Sequence, residues 1–309
     1  MVKSEIYERN IEFNENTKIL IGIGDSFCAG TGTEDIEIWE KNKWDIQNMR
    51  NDSDGVNMGY DNSFINLLTK KYLTDYVPVN LGIAGKGNRF AIRELFSNPL
   101  FKFENAGEKI VIFVASGLER FDVTNDLLDL YCHTHTIWPV SSNSEDEGYS
   151  KIMKENKTIY SDKFIVGEFI MDMFMLSNWC KLNNAKLFFI SGFSGIISKE
   201  NLTKILIDGR ENEILYPYLI RNAEGFMNNI PWESQIKPLG YDTIVDLMLH
   251  KQGRDDLIGN YQFRNYNVYK HTENDYVSKC QHPTKKGHEL LCDVIYGHIK
   301  ENIKLQNLI

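Results

Sequence analysis

No stretch of this 309-residue chain holds enough consecutive apolar residues to cross a bilayer, which takes about 20. Its opening, MVKSEIYERNIEF, lacks the apolar centre of a secretory signal and alternates charges with single hydrophobes. Basic residues are in deficit: 34 Lys and Arg stand against 43 Asp and Glu, a formal charge of -9. Binding nucleic acid in general needs a basic surface to neutralise phosphates, so neither nucleic acid nor membrane is expected as a partner. Cysteines are few. Cys28, Cys132, Cys180, Cys280 and Cys292 are odd in number, widely spaced and form no CxxC. They fit reduced thiols after cytoplasmic synthesis without a signal peptide, and not a disulfide scaffold. Internal repeats and low-complexity tracts are absent too. A composition of 42% hydrophobic and 25% charged residues is that of an ordinary globular chain and argues against extensive disorder.

What is present is an alternation of short apolar runs with helical patterns. Lys18–Ile23, Val77–Leu81, Lys109–Ala115 and Lys186–Ser191 are apolar, mostly β-branched or aromatic runs of strand length. Between and after them, Asn62–Leu73 places Phe64, Leu67, Leu68 and Tyr72 on one helical face, with Asn62 or Ser63 as cap. Asn88–Phe96 and Phe164–Leu182 read as further helices. A last helix over Thr284–Ile303 groups Leu290, Leu291, Val294, Ile295 and Ile299 on one side. Strands apolar on both faces and separated by helices imply an α/β fold: a three-layer α/β/α sandwich around a central parallel sheet. One domain over 1–309 is expected, with insertions at about 133–162 and 194–279; the second is long enough to hold helices of its own.

In such sheets ligands bind beyond the carboxyl ends of the strands, which nominates the loops after Ile23, Leu81 and Ala115. Gly24-Asp25-Ser26-Phe27-Cys28-Ala29-Gly30 follows the first strand directly, and its small residues let a serine hydroxyl stand on a tight turn beside backbone N–H groups. Asn80-Leu81-Gly82-Ile83-Ala84-Gly85-Lys86-Gly87-Asn88 closes the second strand with glycines where backbone would approach a substrate. His282-Pro283-Thr284-Lys285-Lys286-Gly287-His288 sets a histidine ahead of the last helix, where Pro283 costs no hydrogen bond. A serine, backbone donors and a histidine at one end of one sheet are the minimum for acyl transfer.

These three blocks, in this order and at these places, resemble the SGNH/GDSL esterase family, with the likeness covering Lys18–Val123 and Cys280–Ile303. The style is that of its divergent phage-encoded members. The resemblance implies a flavodoxin-like α/β/α sandwich that hydrolyses esters through a serine and needs no cofactor or metal. It makes Ser26 the nucleophile and His282 the base, with the amides of Ser26 and Gly85 holding the oxyanion. The chain departs from the family pattern twice. Where an aspartate usually stands three residues before the histidine there is Lys279, so Asp275, Glu273 or a main-chain carbonyl is left to orient the ring. Where Gly-x-Asn-Asp usually follows the central strand there is Ser116-Gly117-Leu118-Glu119-Arg120, which leaves Asn88 or Arg120 as the third oxyanion donor.

Other residues carry weaker signals. Cys28 stands two residues after Ser26, but a lone cysteine reads first as a small buried hydrophobe. His133 and His135 lack a carboxylate partner for a metal, and Arg50 occupies the first ligand position of the calcium-like run Asp52, Asp54, Gly55, Asp61. Gly85-Lys86-Gly87 lacks the Walker spacing. Trp39, Trp44 and Trp232 read either as a sugar platform or as core or subunit contacts, and His288 as a cap or flank of the last helix.

The leading expectation is therefore a serine esterase for small acyl esters, O-acetyl on carbohydrate by analogy with the family, acting on a small-molecule or glycan ester. The rival is a non-catalytic structural or adhesion protein, such as a virion component, that kept the scaffold; lysis releases virion proteins without a signal peptide. Homo-oligomers or virion partners belong to that second reading.

Overall fold

The protein is described from a computed structural model, which covers residues 13–33, 61–83, 87–97, 103–118, 121–124, 134–137, 162–192, 195, 197–207, 223, 225–258, 275–277 and 282–306. Four strands form a parallel sheet in the order β2-β1-β3-β6. They are β1 (Lys18–Gly24), β2 (Tyr76–Asn80), β3 (Lys109–Ala115) and β6 (Ala185–Ser191). Their register runs Ile21↔Val79, Ile21↔Val111 and Val111↔Leu187 across the sheet. Beyond β6, isolated parallel bridges join Phe189 to Gln235 and Ser191 to Thr243, so residues 235–243 lie along that edge.

The strand runs are apolar throughout because each face of the sheet has its own core. Side chains alternate along a strand with a period of two. Ile19, Ile21, Ile23, Val111, Phe113 and Phe189 enter one core; Leu20, Ile110, Ile112, Val114, Phe188 and Ile190 enter the other. The first core is closed by α3 (Asn88–Ser97), α4 (Asp162–Leu182) and α5 (Lys199–Ile207), through residues such as Ile92, Met173 and Leu202. The second is closed by α2 (Phe64–Lys71), α6 (Ile244–Lys251) and α7 (Lys285–Gln306), through Leu68, Leu247 and Ile295. The molecule is thus a three-layer α/β/α sandwich.

The local rules that set the element boundaries are visible. Ser63 caps α2, its hydroxyl accepting the Asn66 amide, and Thr243 caps α6 the same way through Asp246. Between α4 and β6 the chain reverses at Asn183-Asn184, with Asn184 in the left-handed region that asparagine tolerates (φ 50°). Two elements had no counterpart in the sequence pattern: β4 (Phe121–Thr124) and β5 (Thr134–Ile137) pair antiparallel as a separate ribbon, and β5 lies within the polar stretch 133–162. The stretch 194–279 holds helices α5 and α6, as its length required.

Candidate active site

The order β2-β1-β3-β6 reverses direction between β1 and β3, and the crevice beyond that reversal is where an open parallel sheet offers room for a ligand. Ser26 stands there. β1 ends at Gly24, whose φ of 150° and close packing leave no room for a side chain: a Cβ would meet the Val114 carbonyl oxygen at 2.6 Å. Asp25 then caps the single-turn helix α1 (Ser26–Ala29), its buried carboxylate accepting the Phe27 amide at 3.0 Å. Gly30, in the left-handed region, ends the turn by donating to the Ser26 carbonyl. Ser26 itself is 4% exposed.

His282 arrives from the other end of the chain. Val277 and Pro283 form an antiparallel bridge, and the Thr284 amide donates to the Tyr276 carbonyl, so the segment ahead of α7 is folded back on 275–277. Thr284 accepts the Gly287 amide at 3.2 Å and so caps α7. The outcome is a Ser26 Oγ to His282 Nε2 hydrogen bond of 2.7 Å between residues 256 positions apart. The imidazole also lies 5.4 Å from the Phe27 ring, tilted by 50°. Asp275, one of the groups the sequence left to orient that ring, is on the surface with its carboxylate on Lys286 at 2.7 Å. That hydrogen bond and charge hold its carboxyl below the usual range. Glu273, Lys279 and Cys280 lie outside the described residues.

The second block reaches the same crevice. The Leu81 and Ile83 amides donate to Gly22 and Gly24, which extends the β1–β2 pairing past the end of the strand. A Cβ on Gly82 would sit 2.6 Å from the Ala29 nitrogen, so the loop backbone runs directly against α1. Gly85, the expected oxyanion donor, lies outside the described residues, as does Arg120. Asn88 opens α3 and is buried; its Oδ1 accepts the Ser116 amide at 2.7 Å and hydroxyl at 3.2 Å, and its Nδ2 donates to the Ser116 carbonyl at 3.2 Å. It therefore ties the end of β3 to the loop after β2.

Several other candidates have a structural explanation. The Cys28 thiol is fully buried, and burial, then the neighbouring Asp25, pushes its pKa well above the ordinary thiol value; it packs as a hydrophobe. Trp232 is half-buried, edge-on to Phe189 at 5.7 Å, with its Nε1 donating to the Met227 carbonyl at 2.8 Å, and packs against the first core. His288 does not cap its own helix. It is fully buried in the first turn of α7 and accepts the Phe64 amide, the first of α2, at 3.2 Å. Trp39, Trp44, His133 and residues 50–60 lie outside the described residues, and Asp61 pairs with Lys70 at the surface. Among the described residues no group of three or more metal-ligating side chains occurs, and no helix is long and apolar enough to cross a membrane.

Sequence reasoning placed Asn80, the last residue of β2, in the second block but missed the role of its side chain. Its side chain meets Cys28, Ser63 and Gly82 at once. It also missed the ion pairs of Arg89 on α3 with Glu168 and Asp172 on α4. An Asn at the end of a strand and an Arg on a helix carry no pattern that announces such contacts.

No protein-family model matches the chain, and no curated protein matches it. Among solved structures the acetyl xylan esterase AlAXEase aligns at 12% identity and a TM-score of 0.37, over 91% of this chain and 98% of its own. A variant of Axe2, an acetyl xylan esterase from Geobacillus stearothermophilus, aligns at 15% and 0.37, over 94% and 97%. LAE5, an alpha/beta hydrolase enzyme from the metagenome of Lake Arreo, Spain, aligns at 12% and 0.36, over 93% and 96%. Likeness at this level carries nothing about chemistry, which has to come from the residues of the crevice.

Proposed function

We propose that the chain is a serine ester hydrolase that removes small acyl groups, O-acetyl on carbohydrate, with Ser26 as nucleophile and His282 as general base. The observation that carries this reading is the 2.7 Å contact between Ser26 Oγ and His282 Nε2 at the carboxyl end of β1. A serine hydroxyl is a weak nucleophile until a base within hydrogen-bond reach takes its proton. With Nε2 as acceptor, the Oγ–H proton passes to His282 as Oγ bonds to the ester carbonyl carbon. The carbonyl oxygen gathers the negative charge, and the amides of Ser26 and Gly85 are its donors. Asn88 joins them through the second hydrogen of Nδ2, the first being held by Ser116. When the tetrahedral species collapses, Nε2–H gives its proton to the leaving alcohol. Water then repeats the sequence on the acyl-serine: Nε2 takes its proton, the hydroxide oxygen bonds to the carbonyl carbon, and Ser26 Oγ leaves with the proton returned.

The choice of O-acetyl carbohydrate follows the resemblance of the GDSFCAG, NLGIAGKGN and HPTKKGH blocks to SGNH esterases. The test is reaction with a fluorophosphonate and turnover of p-nitrophenyl acetate, wild type beside Ser26→Ala. Labelling and turnover confined to the wild type are expected, with a loss in the variant on the order of 10³-fold or more. Equal behaviour of the two proteins sinks the hydrolase reading and favours a scaffold with a structural or adhesive role.

A further inference from the structure

We propose that Asn80 is a positioning residue that locks the turn bearing Ser26 to the loop after β2; its catalytic consequence rests on the hydrolase reading above, its structural content on geometry alone. The Asn80 side chain reaches three segments. Oδ1 accepts the Gly82 amide at 2.9 Å, and the sulfur of Cys28 lies 3.5 Å from the same oxygen. Nδ2 donates to the Cys28 carbonyl at 2.9 Å and to the Ser63 hydroxyl at 3.1 Å. The Gly82 N–H can only donate, which assigns the oxygen end of the amide without ambiguity.

The turn needs such a clamp. α1 is four residues long, and one helical turn has little stability of its own. Its start is held by the Asp25 cap and its Ser26 carbonyl by Gly30 and Thr31. Asn80 takes the carbonyl of Cys28, near the far end. Backbone meets backbone where Gly82 touches Ala29, so no intervening side chain can take up a displacement. A single carboxamide thereby sets the nucleophile turn against the stretch that leads, three residues on, to the expected oxyanion donor Gly85. A hydroxyl and an imidazole 2.7 Å apart react well only while that alignment lasts, since a shift of about 1 Å costs on the order of 10²-fold.

Asn80→Asp is the discriminating variant. It keeps the shape and the acceptor for Gly82 but sets an oxygen against the Cys28 carbonyl. The expected result is a fall in kcat for p-nitrophenyl acetate of about 10- to 100-fold with KM changed by less than about 3-fold. One fluorophosphonate-reactive serine per folded chain should remain, and a crystal structure should show the Ser26–His282 contact lengthened. Asn80→Ser, neutral and smaller, serves if a carboxylate there prevents folding. Ser63→Ala removes another Asn80 partner and the cap of α2; it should lower Tm yet keep kcat within about 2-fold. Wild-type kcat in the Asn80 variants, or an equal loss in Ser63→Ala, overturns the proposal. If the wild-type serine neither labels nor turns over ester, the hydrolase reading fails separately, and a variant crystal structure that keeps the 2.7 Å contact then overturns the positioning role.

Discussion

Inside the first turn of α7, His288 accepts the Phe64 amide through Nδ1 and stacks on the Phe64 ring at 6.0 Å. Burial, then the proximity of His282, lowers its pKa to about 3, so it stays neutral in the folded protein and carries its proton on Nε2. An unfolded chain takes up a proton on this ring near pH 6.5. Between pH 6.5 and about 3 the unfolded state therefore binds more protons than the folded one, and the stability His288 supplies at neutral pH is lost as pH falls through that window. His288→Phe should be less stable than wild type at pH 7 by about 1–3 kcal/mol, because the Phe64 amide loses its acceptor. That gap should shrink on acidification. Urea titrations at pH 7 and pH 5 measure it, and a gap of constant size counts against this account.

At the scale of elements, α3 and α4 meet through charge. Arg89 donates to both Asp172 oxygens at 3.2 Å and also to Glu168. Burial outweighs the guanidinium, and the Asp172 carboxyl, 4% exposed, rises to about 6. Here the folded state holds the proton more tightly. The stabilisation is complete below the unfolded value of about 4 and is lost as pH rises through about 6. Asp172→Asn, which mimics the protonated carboxyl, should gain on wild type in Tm between pH 4 and pH 7. A parallel pair of Tm profiles would refute this. Such pairing was illegible beforehand, because Arg89 and Asp172 lie 83 positions apart and each reads alone as a solvated helix residue. The helices themselves were legible to within a few residues: Asn88–Phe96 is Asn88–Ser97, and Phe164–Leu182 is Asp162–Leu182. The strand Lys109–Ala115 has the bounds that its apolar run suggests. The β4–β5 ribbon escaped because its strands, FDVT and THTI, are four residues each, too short for a period to stand out.

For the molecule as a whole, α7 joins the chain's end to its beginning. Leu291, Ile295 and Ile299 are fully buried in the core that α2 shares, while His282 precedes the helix by three residues. Ile295→Ala should cost about 2–5 kcal/mol in urea denaturation, since a cavity replaces packed methyl groups. The remaining folded molecules should react with fluorophosphonate at close to the wild-type rate, because the 2.7 Å contact is set by the capped turns around Ser26 and Thr284. A loss of reactivity beyond the unfolded fraction would show that the helix position itself tunes the site.

Apolar period, caps and turn residues act over a handful of neighbours, so the sequence by itself determined the four strands of the parallel sheet, most helices, the parallel sandwich and the end of the sheet at which Ser26 must stand. The meeting of Ser26 with His282, the grip of Asn80 on Cys28 and Gly82, and the transfer of His288 to another helix's first amide were decided only by tertiary structure. Each depends on distances between segments far apart in the chain, set by how the sheet's register and the packing of two cores bring loop ends together.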